Sequence, residues 1–329
     1  MTSELLFTGP ELCKFEAHEV VALLKAREIS SSDLIDAALT RIAQTGPLIN
    51  ATPTLCEAQA RAVDLSSRDS TPAGWLAGLP ITIKDLNAVA NVRTTFGTKG
   101  LAGFIPQKSD PLVDQLEQRG AVILGKTNTP EFGAGGNTFN DVFGQTRNPW
   151  NTALNPGGSS GGAAASLAAG EIWLSHGSDH GGSLRTPAAY CGIVGLRPSP
   201  GIAGGPGQDA AFIIEGVQGP MARSVRDCAL FLDAMSGFDP QIAISYPAPE
   251  IPYQEAVIRA DGKLKIAFAP DLGGFGQVDP EMAQHLAAAM RQLEKNGARI
   301  EETDNSSSLD EKKSLTQKWK IGSVSSHLQ

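Results

Sequence analysis

Two glycine nests, each holding a serine, constrain this chain more than any other feature. Gly157-Gly158-Ser159-Ser160-Gly161-Gly162 opens a segment that Gly181-Gly182-Ser183-Leu184-Arg185 closes, with Lys84-Asp85 upstream. Glycine admits positive φ and lets backbone N–H groups approach a bound atom closely. A serine held in such a turn combines a nucleophile with donors for a developing oxyanion. A buried, neutral lysine can take the proton. Lys84 follows the apolar run from Leu79 to Ile83, which predicts a strand end near the core, where burial favours the neutral amine. These residues read as a serine hydrolase whose base is lysine rather than histidine.

Other chemistries fit the same residues less well. A phosphate-binding loop needs Gly-Lys-Ser/Thr after an apolar strand, and Ala153-Leu154-Asn155-Pro156 leads into Gly157 instead. His176 and His180 with Asp179 would need a helix to converge on a metal, and Gly177, Gly181 and Gly182 oppose one. His176 is therefore expected at a strand end and His180 in a turn near the pocket. Cys191, in Ala189-Tyr190-Cys191-Gly192-Ile193, reads as buried packing rather than a thiol nucleophile. Cofactor and metal are both read as none.

The chain alternates helix and strand signals. Ser30 and Asp33 form a capping start before Leu34, Ile35, Ala38 and Ile42 at helical spacing. Strands are predicted at Leu79–Ile83, Ala121–Leu124 and Ile172–Ser175, and helices at Asp110–Arg119 and Gly161–Ala169. Thr186 with Pro187 suggests the start of a helix, and Ser224 with Asp227 another carrying Val225, Cys228, Ala229, Leu232 and Met235 inward. Leu264–Ala269 and Arg299–Glu301 read as strands, with Asp279-Pro280 opening a helix that turns Met282, Leu286, Ala289 and Leu293 inward. Alternation of this kind predicts a layered α/β domain around a central sheet.

A net charge of −8 without a basic cluster argues against nucleic acid or an anionic membrane as a partner. Cys13, Cys56, Cys191 and Cys228 are scattered, with no CxxC pair, against both a disulfide framework and a zinc knuckle. Without a signal-like start or a run of ~18 apolar residues, a cytoplasmic location is the expectation.

The order of motifs resembles the amidase signature family. Its elements stand here as Gly78-Leu79-Pro80-Ile81-Thr82-Ile83-Lys84-Asp85, Gly125-Lys126-Thr127-Asn128-Thr129-Pro130-Glu131-Phe132, Arg147-Asn148-Pro149-Trp150-Asn151, Gly157–Gly162, Gly177-Ser178-Asp179-His180-Gly181-Gly182-Ser183-Leu184-Arg185-Thr186-Pro187-Ala188, Gly192–Pro198 and Gly219-Pro220-Met221-Ala222-Arg223. They run in order from about residue 10 to 302. The resemblance implies Ser183 as nucleophile, Ser159 as a bridging serine after a cis Gly158–Ser159 peptide, and Lys84 as base. It implies the N–H groups of His180, Gly181, Gly182 and Ser183 as the oxyanion hole, with Asp179 and Arg185 pinning the nucleophile turn. His180 departs from the family's small residue at that position.

The implied activity is hydrolysis of a linear carboxamide through an acyl-enzyme, with a small amide as the partner. Two rivals stand beside it: the amidase component of a glutamine-dependent tRNA amidotransferase, and a truncated, inactive homologue. The truncation reading comes from the tail. Residues 1–304 are expected to form the domain, with a helical part over about 1–70. Polar residues 305–329 carry too few apolar groups to offset an ordering cost of ~1–2 kcal/mol per residue. Family members continue further, so the fold is expected to be incomplete at the C-terminus. Low stability and association, with a homodimer as one form, are the expected consequences.

Overall fold

Hydroxyl and carboxylate caps start the helices where the sequence places them. Ser30 Oγ accepts the Asp33 N–H at 3.2 Å while the Asp33 carboxylate accepts the Ser30 N–H at 2.7 Å. From that cap α2 (Ser31–Ile49) follows α1 (Ala17–Ala26) and buries Leu34, Ile35, Ala38 and Ile42, the predicted stripe. In this computed structural model, residues 9–65, 72–204, 214–271, 274 and 276–303 are described. The polar tail 305–329 lies outside them. The chain separates into two units, 1–257 and 258–329, earlier than the boundary at 304 expected from composition.

The first unit is built on a six-stranded mixed sheet. Its elements, in order, are β1 (Thr54–Leu55), α3 (Glu57–Arg61), β2 (Pro80–Lys84), α4 (Pro111–Gln118), β3 (Val122–Thr127), the small hairpin β4 (Phe139–Asn140) and β5 (Gly144–Gln145), α5 (Gly161–Ala168), β6 (Leu174–Asp179), α6 (Arg185–Cys191), β7 (Val194–Gly195), β8 (Val217–Ala222), α7 (Val225–Met235) and α8 (Tyr253–Arg259). The sheet order is β1-β3-β2-β6-β8-β7. β2 lies parallel to both β3 and β6, and β6 runs antiparallel to β8. Every residue of β2, β3 and β8 is buried, and β2 and β3 begin as the apolar runs that the sequence shows.

The glycine- and alanine-rich sequence of α5 has a packing reason. A Cβ on Gly162 would lie 2.4 to 2.7 Å from backbone atoms of Asn128 and Ala51, so the helix seats backbone against backbone. Residues 161–167 are all buried as a result. The Gly158–Ser159 peptide is cis, at the position the resemblance implies.

Four details differ from the sequence reading. β6 continues to Asp179 instead of ending at Ser175, because β8 pairs along its whole length and Gly177 fits closely under Leu184, Ser160 and Met221; His176 is thus mid-strand. α6 starts at Arg185, with Leu184 at its N-cap, so Thr186 and Pro187 lie inside it. Val225 is exposed, and Asp227 turns to cap α1, accepting the N–H groups of Ala17 at 2.8 Å and His18 at 2.9 Å.

The fourth difference is in the second unit, which holds β9 (Lys265–Phe268) parallel to β10 (Arg299–Glu302), joined by α9 (Pro280–Lys295). Met282, Leu286 and Leu293 of α9 are 54%, 42% and 38% exposed, not inward as expected. A two-stranded sheet offers too little area to cover a sixteen-residue helix.

Candidate active site

β2 delivers Lys84 to its C-terminal end with no exposed surface. Its Nζ donates to Ser159 Oγ at 2.7 Å and to Ser178 Oγ at 3.0 Å. Burial pushes the amine down from the ordinary lysine range to about 7, against a smaller upward pull from the Asp179 charge. Near neutral pH a large fraction of this amine is therefore uncharged and able to accept a proton.

Ser159 is itself buried, on the turn into α5. Thr138 fixes that turn from both sides: its Oγ1 donates to Gly157 O at 2.9 Å and accepts the Gly161 N–H at 3.1 Å. A Cβ on Gly133 would lie 3.5 Å from Ser159 Oγ, so the loop after Pro130 approaches the serine from the other side. The Ser160 N–H donates to Ser183 O at 3.2 Å, which brings the two serine turns against each other. Among the described residues the Ser183 hydroxyl has no hydrogen-bond partner, and the residue is only part-buried.

The turn carrying Ser183 hangs on one carboxylate. Asp179 accepts the Gly182 N–H at 2.8 Å, the Leu184 N–H at 3.1 Å, and both arms of Arg185 at 3.0 and 3.1 Å. Arg197 adds a contact at 3.1 Å to the same carboxylate and another to the Asp179 carbonyl. Although burial works to raise it, Arg185 and the Gly182 and Leu184 N–H groups hold the carboxyl down at about 2. Asp179 thus bonds directly to the turn and to Arg185. The Gly182 N–H is different: it is already taken by Asp179, whereas the N–H groups of His180, Gly181 and Ser183 donate to no described residue.

Residues outside this constellation are placed as well. Cys191 is buried, and that burial pushes its thiol up to about 12, which disfavours the reactive thiolate. His176 is buried and held neutral, its imidazole pushed down to about 3 by burial. The loop at Trp150 braces α6, Trp150 Nε1 donating to Cys191 O at 2.7 Å and Asn148 Nδ2 to Tyr190 O at 2.9 Å. Asp85, beside Lys84 in sequence, faces elsewhere: it accepts from Thr95 and lies 3.3 Å from Lys126 Nζ.

Sequence reasoning missed Ser178, the second hydroxyl on Lys84, and Arg197, the second arginine on Asp179. Ser178 had a signal, since the Gly-Ser-Asp triplet precedes the second nest in the same motif. Arg197 lies in the Gly192–Pro198 motif, but only the fold brings it to Asp179, 18 positions earlier.

A cleft of about 850 Å³ opens beside Ser178, Asp179 and the exposed His180, and its other wall includes Asn87, Asp110 and Gln218. A larger cavity of about 1130 Å³, between α2 and the Trp150 loop, includes none of Lys84, Ser159, Ser178 or Ser183. The lining of the smaller cleft also leaves out Lys84, Ser159 and Ser183, but it reaches Ser178, which holds Lys84 Nζ, and His180 on the turn before Ser183.

A family model described as Amidase matches residues 33–328. The A component of the glutamyl-tRNA(Gln) amidotransferase of Moorella thermoacetica is 40% identical over 297 residues, covering 89% of this chain and 61% of that protein. Among solved structures, 6-aminohexanoate cyclic dimer hydrolase complexed with substrate is 32% identical with a TM-score of 0.80, over 89% of this chain and 61% of the other. A bacterial aryl acylamidase is likewise 32% identical with a TM-score of 0.81, over 88% of this chain and 61% of that one. The chain thus spans less than two thirds of the length of these relatives.

Proposed function

The chain belongs to the amidase signature family, and from that premise we propose that it hydrolyses a linear carboxamide through an acyl-enzyme on Ser183. The observation that carries the reading is the 2.7 Å contact between Lys84 Nζ and Ser159 Oγ, made by an amine whose burial brings its pKa to about 7. A neutral amine has two hydrogens and one lone pair. It can hold Ser178 with a hydrogen while its lone pair receives the Ser159 proton.

In the proposed sequence Ser183 Oγ attacks the amide carbonyl as its proton passes to Ser159 and that of Ser159 to Lys84. The oxyanion is received by N–H groups of His180, Gly181 and Ser183, each donor contributing on the order of 3 kcal/mol. Gly182 supports the hole indirectly, through its bond to Asp179. Lys84 then returns the proton through Ser159 to the leaving nitrogen, and water deacylates Ser183 with the same groups as base. Carboxylate and ammonia or an amine are the products.

A second reading is favoured by the 40% identity to the A component of a glutamyl-tRNA(Gln) amidotransferase. In it the same serine would release ammonia from glutamine for a partner protein, and hydrolysis would depend on that partner.

A fluorophosphonate probe tests the shared chemistry. Intact mass and peptide mapping should find one adduct, on Ser183, absent in Ser183→Ala and slowed in Ser159→Ala. An adduct on Ser160 or Cys191 overturns the assignment. Turnover of simple amides by the protein alone supports the first reading; glutaminase activity that appears only with an added partner supports the second.

A further inference from the structure

The cleft wall and the main chain of Lys84 are joined by buried polar groups that the proposed chemistry does not use. Asn87 Nδ2 donates to Asp110 Oδ2 at 2.8 Å and to Gln218 Oε1 at 3.0 Å. Gln218 Oε1 also accepts from His176 Nε2 at 2.6 Å, and His176 Nδ1 accepts the Lys84 N–H at 3.4 Å. The Lys84 carbonyl in turn accepts the Asn87 N–H at 3.1 Å. Both main-chain polar groups of Lys84 therefore end on members of one chain of hydrogen bonds. Across the β6–β8 ladder, Gln218 is the register partner of Ser178, which holds Lys84 Nζ.

The polarity of this chain is determined from both ends. A carboxylate only accepts, so Asp110 requires the amide nitrogen of Asn87 to face it. That nitrogen then requires the oxygen of Gln218. At the far end a backbone N–H requires an acceptor at His176 Nδ1, which places the imidazole hydrogen on Nε2, facing the same Gln218 oxygen. Every donor meets an acceptor only while His176 is neutral. A protonated ring would set two donors against each other at Lys84.

We infer that Gln218, with His176 behind it, is a positioning residue that ties the wall of the cleft beside Ser178 and His180 to the main chain of Lys84. The inference rests on the role proposed above for Lys84. It gives Gln218 Oε1 the task of orienting His176 and Asn87, which in turn hold the end of β2 where Nζ meets Ser159 and Ser178. It also supplies that task with a neutral acceptor. The charged groups near Lys84 are Asp179 at the end of β6, Asp85 after β2 with its partner Lys126 from β3, and Asp110 ahead of α4. A further charge at 218 would disturb that balance.

Two variants separate positioning from simple support. Gln218→Met keeps the length and removes the acceptor. Gln218→Glu keeps acceptors and adds a buried negative charge. Lys84 is followed directly by a 13C-lysine NMR titration, assigned with Lys84→Ala, and Ser183 by the rate of fluorophosphonate labelling against pH. In Gln218→Glu the Lys84 midpoint should rise by about one unit, and labelling at pH 7 should fall about fivefold and recover toward pH 9. In Gln218→Met labelling should fall at least tenfold at every pH while thermal melting still shows a folded protein. The inference is overturned if both variants label like wild type, or if Gln218→Glu moves the Lys84 midpoint by less than about 0.3 units. If wild type fails to label at Ser183, the functional reading fails separately and the NMR midpoint alone decides the role of Gln218.

Discussion

Two lysines, on neighbouring parallel strands, are both fully buried, and their surroundings give them different work. Lys84 at the end of β2 meets two serine hydroxyls. Lys126, one strand away on β3 and in register with Ile83, meets Thr94 Oγ1 at 2.9 Å, the Asn87 carbonyl, and the Asp85 carboxylate at 3.3 Å. Burial lowers both amines and a carboxylate pulls each back up, but Asp179 acts on Lys84 without bonding to it, whereas Asp85 lies 3.3 Å from Lys126 Nζ. A hydroxyl cage leaves an amine free to lose and regain its proton, whereas a carboxylate cage makes an ion pair. Equal burial does not mean equal role; the nearest anion decides.

The largest expected effect separates the two pockets by activity. Lys84→Met should lower the labelling and turnover rates 10²- to 10⁴-fold, the range of a lost general base, with the melting temperature unchanged or raised. Lys126→Met should do the reverse, costing about 3–5 kcal/mol because Asp85 is left buried and unpaired. Denaturant unfolding at pH 7 measures it, and restoring stability with Lys126→Met/Asp85→Asn would confirm the pair. If Lys84→Met unfolds the protein while Lys126→Met silences a folded one, the comparison is reversed.

The pH dependence sharpens the contrast. Rate should rise through about pH 7 as Lys84 loses its proton, and that limb should be absent in Lys84→Met. Stability follows with a definite sign. The folded amine titrates near 7 and the unfolded one near 10.5, so between those values the unfolded chain holds the extra proton and stability rises with pH. Lys84→Met should flatten that rise in urea midpoints measured from pH 7 to 10.

The smallest effect comes from a buried acid in a hydroxyl cage of its own. Glu171 is bonded to Thr45 at 2.6 Å and Thr52 at 3.1 Å, and burial pushes its carboxyl up to about 7. Between about 4.5 and 7 the unfolded chain is ionised and the folded one protonated, so this group's contribution is lost as pH rises. Glu171→Gln should abolish a decline of a few kcal/mol at most across that window. A decline of the same size in the variant would show that Glu171 is ionised in the fold.

Local features were legible in the chain because local chemistry makes them. The Ser30/Asp33 cap, the stripe Leu34, Ile35, Ala38 and Ile42, and Pro111 at the first turn of α4 each follow from spacing within a few residues. Lys84 was readable as buried because an apolar run carries it into the sheet. The extent of β6 was not readable, since Gly177-Ser178-Asp179 has poor strand propensity and is held only by its partner β8. Asp227 looked like the cap of its own helix, yet its carboxylate serves α1, more than 200 residues earlier. The inward face assigned to α9 followed from periodicity, which shows that a helix has an apolar side but not that something covers it.

By itself, then, the sequence determined the residue types of the site, their glycine turns, their order along the chain and the family they belong to. Tertiary structure decided which of them meet. Ser178 rather than Asp85 became the second partner of Lys84, Asp179 took the Gly182 N–H, and Lys126 received the carboxylate that Lys84 had beside it in sequence. The reason is the two-residue alternation of strands: neighbours in sequence point to opposite faces, and only the pairing of β2 with β3 and β6 settles what each face meets.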